Sequence, residues 1–157
     1  MGNLKTCICF LLLCSALCGS VQAQAQADLF RIDFYCDAMP FECLTGGVGA
    51  EERAAIQAQA NRYSLRLVTV ARQSGWYLAG VEITLEALHL GARPVHLLTQ
   101  VMAGPLLYLA LPPGQYAITA RYRGDNGILQ EQRTLTQLRS VDEHRQLLLY
   151  FIEADQN

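Results

Sequence analysis

A chain of 157 residues and 17.4 kDa has room for about one domain, and its 52% hydrophobic content is high for a soluble protein. The charge balance sets nucleic acid aside as a partner: the formal net charge is −2, and no basic stripe or arginine-rich block occurs.

Part of the apolar excess is local. Residues 1 to 27, "MGNLKTCICFLLLCSALCGSVQAQAQA", place one charge, Lys5, before an apolar stretch from Cys7 to Cys18 and then small residues spaced Ala-x-Ala. That is the order of a secretory signal peptide, with cleavage after Ala23, Ala25 or Ala27, and the stretch is short for a membrane span. A lipoprotein signal at Cys14 or Cys18 is the lesser alternative, because Leu13 and Leu17 stand where that signal takes a small residue. Removing the leader leaves eleven arginines against fourteen acidic residues and two of the six cysteines, Cys36 and Cys43. In an exported chain this pair predicts one disulfide closing "YCDAMPFECL"; two free thiols are the alternative. The spacing rules out a redox Cys-x-x-Cys, and two cysteines without nearby histidine cannot fill a zinc site.

Residues 28 to 49 read as an irregular segment with the cysteine loop, ending in "TGGVG". This is a turn and not a phosphate-binding fingerprint, since no strand precedes it and no βαβ unit follows. From residue 50 to 157 we expect a helix followed by a β-sandwich domain. "AEERAAIQAQANRY" (50–63) predicts the helix: strong helix formers, Glu51 and Glu52 at its positive end, Arg62 near its negative end, and a thin apolar face of Ile56, Ala60 and Tyr63.

After Tyr63 the period changes to two, and seven strands are expected, at 64–72, 80–88, 93–101, 105–111, 114–123, 128–136 and 145–152. Val81, Ile83, Leu85 and Ala87 should face inward, with Glu82, Thr84 and Glu86 outward; Tyr116, Ile118, Ala120 and Tyr122 repeat the pattern. Turn residues separate the runs, and Asn126-Gly127 is a hairpin signal. The fold class is therefore mainly β, a seven-stranded antiparallel sandwich with one short N-terminal helix. In "GPLLYLALPPGQYAITARY" (104–122) the two prolines end one strand and Gly114 permits the reversal that starts the next. The unbroken apolarity of "LLYLAL" suits a central strand or one covered on both faces.

An exported leader, "TGGVGAEER" with its helix, "YSLRLVTVARQSGWYLAGVEITLEA" and "GPLLYLALPPGQYAITARY" together resemble bacterial exported proteins described as carboxypeptidase regulatory-like domains, over roughly residues 46 to 152. The resemblance implies a prealbumin-like (transthyretin-like) sandwich and a non-enzymatic module of the cell envelope. The cysteine loop before Gly46 and the Leu106-Leu107-Tyr108 run depart from the family pattern.

The residues advertise no catalytic apparatus, cofactor or metal site. His89 and His96 fall on different elements, and His144 beside Asp142 and Glu143 reads as part of a loop leading into the last strand. Ser140, Asp142 and His144 crowd one local segment, which is poor triad geometry. Arg123-Gly124-Asp125 matches an adhesion tripeptide, and Tyr122-Arg123-Gly124 resembles the chain end of transthyretin-like hydrolases of purine breakdown; a polar hairpin loop accounts for both. The contact candidates are Trp76 and Tyr77 in "SGWYLAG", Tyr108, and Asn126. Trp76 is either exposed for a partner or sugar, or folded over the sandwich end. The expectation is a periplasmic or secreted protein with no transmembrane segment in the mature chain, acting without catalysis as a protein-interaction or structural module; carbohydrate or peptidoglycan binding is the alternative.

Overall fold

The computed structural model describes residues 41–152. The expected leader, Cys36 and most of the expected irregular segment lie outside the described residues. Strand β1 (Cys43–Gly46) leads to helix α1 (Ala50–Ala58) and a 3-10 turn (Ala60–Arg62). Strands β2 (Leu65–Ala71), β3 (Glu82–Leu88), β4 (Val95–Val101), β5 (Leu106–Leu109), β6 (Gly114–Arg123), β7 (Leu129–Leu138) and β8 (Arg145–Phe151) follow.

All seven expected strands form, and β1 makes an eighth, inside the segment read as irregular. Four residues are too few for a period to declare itself. What makes "CLTG" a strand is its distant partner, with Cys43 opposite Leu109 and Gly46 opposite Leu106. The helical run also divides: the α-helix ends at Ala58, and residues 60–62 tighten to 3-10.

The strands build two four-stranded sheets, ordered β1-β5-β2-β8 and β4-β3-β6-β7. The second is antiparallel throughout. The first is not, because β2 and β8 run parallel, Leu65 beside Arg145 and Ala71 beside Phe151. The expectation of purely antiparallel sheets is corrected there: between β2 and β8 the chain passes through the other sheet, and six residues, 139–144, carry it from the end of β7 to the start of β8 beside Leu65. Leu65, Leu67, Leu107, Leu109 and Phe151 of one sheet join Ile83, Leu85, Leu98, Tyr116 and Ile118 of the other in a single buried cluster. Burial of that apolar surface is the main term holding the two layers together.

A second cluster lies on the outer side of the first sheet, where Ile56 and Tyr63 pack on Leu44, Val68, Val70, Leu106 and Tyr108. Strand β5 is thus covered on both faces, as its unbroken apolar run required. Arg66 ties down the end of this cover: its Nη2 donates to Ala60 O at 2.7 Å and its guanidinium lies 5.7 Å from the Tyr108 ring centroid.

Pro112-Pro113-Gly114 has a plain structural role. Tyr116 starts the inward face of β6, and its hydroxyl donates back to Pro112 O at 2.6 Å, a tyrosine corner that locks the turn between β5 and β6. Ser64, one of the few serines, is buried; its Oγ donates to Leu111 O and accepts from Leu111 N, each at 2.8 Å.

Candidate functional site

The pairing registers bring four connections to one end of the two sheets. These are residues 47–49 after β1, 72–81 between β2 and β3, 102–105 between β4 and β5, and 124–128 between β6 and β7; the chain also leaves β8 there. Backbone bonds join two of them, 72–81 and 102–105, and the end of β8: Arg72 N donates to Phe151 O at 2.7 Å, Gly80 N to Met102 O at 2.9 Å, and Met102 N to Val81 O at 2.8 Å.

Within this end, "SGWYLAG" turns back along β2. Gly75, at φ 73°, allows the reversal, after which Ala71 N donates to Trp76 O at 2.8 Å and Leu78 N to Thr69 O at 3.0 Å, with Tyr77 bridged to Val70. Strand-like bonding holds the backbone while the side chains of Trp76 (74% exposed) and Tyr77 (52%) point to solvent. The tryptophan is therefore displayed, not folded over the sandwich end. Arg53 stitches this loop to its neighbours: its guanidinium lies 5.4 Å from the Tyr77 ring centroid and donates to Gly47 O and Val48 O. Glu52 reaches back to accept from Val48 N at 3.0 Å, so the first turn of α1 closes on the same loop.

Asn126 sits at the same end, but its side chain is committed to its own loop. Its Oδ1 accepts from Ile128 N at 2.9 Å, Gly127 N donates to Gly124 O at 2.8 Å, and Gly127 takes the positive φ of 77°. The central turn pair is Asp125-Asn126, with Gly127 closing a three-residue loop in the left-handed region, rather than an Asn-Gly pair at the centre of a two-residue turn. The Arg-Gly-Asp segment belongs to this hairpin, and Arg123 Nη1 donates to Gly127 O at 2.7 Å. Ile128 and Leu129 beside it are exposed, as are Val48 and Ile152.

Tyr108 is elsewhere. It is 4% exposed beneath α1, its ring 5.8 Å from that of Tyr63, and burial raises its phenol above the ordinary 10.0. It offers no ring face to a ligand, because β5 has a cover on both sides. Cys43 is buried in the core cluster at the head of β1.

The structure does not join the residues weighed for catalysis. His144 Nδ1 lies 2.9 Å from Tyr63 O, so the ring anchors the approach to β8 to the main chain, and no hydrogen bond links it to Ser140 or Asp142 among the described residues. His89 lies beyond the end of β3 and His96 on β4 opposite Glu86. Among the described residues, no group of three or more His, Cys, Asp and Glu side chains is placed to hold a metal ion. No helix among them is long and apolar enough to cross a membrane.

Sequence reasoning found Trp76 and Tyr77 but missed Val48, Ile128, Leu129 and Ile152. Each is a single apolar residue next to a turn; only the registers show that they gather at one end. No family model matches the chain, and no curated protein is similar to it.

Proposed function

We propose that the protein is an exported, non-enzymatic module of the cell envelope, a prealbumin-like sandwich of the carboxypeptidase regulatory-like kind, that docks a protein partner through the loop end carrying Trp76. One observation carries the reading: Trp76, Tyr77, Val48, Ile128, Leu129 and Ile152 are all exposed at a single end, where the Trp76 loop is held by backbone hydrogen bonds to β2, to Met102 and to the end of β8. An exposed apolar patch on pre-ordered loops is the usual form of a protein-binding surface, and tryptophan and tyrosine are the side chains that most often dominate its energetics. In this reading Cys36 and Cys43 pair and anchor the segment ahead of β1, so the unreduced protein resists alkylation at both.

A photo-crosslinking residue at position 76, in protein expressed in its native host, tests the proposal. The expected result is one reproducible envelope protein captured from position 76 but not from position 119 on the outer face of β6. Its loss when Val48 and Ile128 are changed to Ser would map the surface; equal capture from both positions, or none, would sink the reading. A glycan stacking on Trp76 is the competing occupant, motivated by the two adjacent exposed rings. Sedimentation with envelope polysaccharide that Trp76→Ala abolishes would favour it.

A further inference from the structure

Among the described residues the two sheets have four edge strands, and three of them are blunted. β1 is only four residues long. β7 carries Glu131 and Arg133, whose side chains pair with Arg121 and Glu86. On β8 the main chain is capped by glutamines of β7: Gln130 donates to Ile152 O at 2.6 Å and accepts from Ile152 N at 2.8 Å, and Gln132 donates to Tyr150 O at 3.4 Å. Short length, charge and side-chain cover are the usual protections of a sheet edge against a further strand. β4 has none of them: "VHLLTQV" contains no charged residue and no proline, and Val101 is 56% exposed.

The pairing with β3 fixes which backbone groups of β4 are free. Met102 N donates to Val81 O at 2.8 Å, and Glu82 opposite Val101 is the next pair along. Bonded and non-bonded pairs alternate in an antiparallel ladder, so Val101 and Thr99 turn their N–H and C=O groups away from β3. Among the described residues one group meets these atoms: Gln100 Nε2 donates to Val101 O at 2.8 Å. Toward the start of the strand the register slips, with Leu85 facing Leu98 but Glu86 facing His96, and the bulge at Leu97 ends the regular edge. The open stretch is residues 98–101.

We propose that residues 98–101 pair antiparallel with the same residues of a second copy of this chain, about a two-fold axis at Gln100. That register matches the most free groups: Thr99 forms a bonded pair with Val101 of the second copy, and Val101 with its Thr99, so both N–H and both C=O groups of each copy find partners. The side chains agree with it. On the outer face each threonine lies beside a valine, a favourable pairing of β-branched residues. On the inner side Gln100 meets Gln100, and an amide that both donates and accepts is complementary to itself across a two-fold axis. The amide that caps Val101 O in the single chain is released for this contact. No charged side chains are brought face to face, since β4 has none. The bulge at Leu97 stops the pairing from running on, and a contact that uses one patch on both copies closes as a dimer instead of propagating. The dimer is independent of the reading of the Trp76 end, which it does not use.

The test is sedimentation velocity of the purified protein over a concentration series, repeated for variants. The contact is small, so the expected result is a reversible monomer–dimer equilibrium at high micromolar concentration and not an obligate dimer. Thr99→Lys combined with Val101→Lys sets like charges opposite one another and should weaken association about tenfold or more. Both positions are exposed, so thermal unfolding of this variant should stay near that of the parent. Gln100→Cys reads the register: under mild oxidation it should yield a dimer linked through position 100, which faces itself across the axis. Thr99→Cys, facing position 101, should couple far more slowly. A protein that stays monomeric at millimolar concentration would overturn the proposal. So would a dimer that the lysines leave intact, or one in which Thr99→Cys couples as fast as Gln100→Cys.

Discussion

The two sheets answer to different patterns. Strands β2 and β5, "LRLVTVA" and "LLYL", are buried at nearly every position, whereas β3, "EITLEAL", alternates between buried and half-exposed. The cause is the cover contributed by α1 and the turn behind it, chiefly Ile56, Ala60 and Tyr63, which lies over the outer face of the first sheet. The outer face of the second sheet is left to polar side chains, where Arg121 reaches Glu131 at 2.7 Å and Glu82 at 3.4 Å, and Arg133 reaches Glu86 at 3.2 Å. A continuous apolar run therefore reports a second layer of cover, and strict alternation reports water.

The sharpest way to break the contrast is to empty each face in turn. On β5 both neighbours should matter: Leu107→Ala, in the shared core, and Leu106→Ala, under the helix, should each cost about 2–4 kcal/mol in urea unfolding. On β6 only alternate positions should: Ile118→Ala should cost a comparable amount, and Thr119→Ala less than about 0.5 kcal/mol. Smaller is the tyrosine corner, where Tyr116→Phe should lose about 1 kcal/mol at neutral pH through the missing bond to Pro112.

Alkaline pH sharpens the same comparison. Burial is the leading cause that raises Tyr108, under the helix, and Tyr116, at the start of β6, above 10.0. The folded state then holds these protons longer than the unfolded chain does, so their contribution is intact below pH 10 and fades as pH rises beyond it. Unfolding midpoints measured across that interval should fall, and Tyr108→Phe and Tyr116→Phe should each remove part of the fall. The smallest effect belongs to the polar face: Arg121→Ala should leave the unfolding midpoint nearly unchanged and should matter even less in high salt, as exposed ion pairs do.

The seven expected strands and the helix could be read directly because each carries in its own residues either the period of a buried face or, in β5, an unbroken apolar run. β1 could not, because its reason for being a strand lies some sixty residues away in β5. The parallel pairing of β8 with β2 was likewise invisible, since an apolar run does not encode the direction of its neighbour. Of the candidate contacts, Trp76 and Tyr77 are exposed, which decides between the two readings of the tryptophan, while Tyr108 is buried. The same unbroken apolar run that predicted a covered strand should have counted against a contact role for the tyrosine inside it.

The order of strands in the first sheet also bears on how the chain assembles. The second sheet is stitched largely by hairpins, β3 with β4 and β6 with β7, contacts that close over short stretches and form early. The first sheet has no hairpin: β1 and β2 both wait for β5, and β2 then waits for β8. As the chain is synthesised, "LRLVTVA" is therefore among the first apolar segments to appear and among the last to be paired along both edges. Through that interval it is the stretch with most to gain from a chaperone, and the arrival of Arg145–Phe151 is the step that ends its exposure.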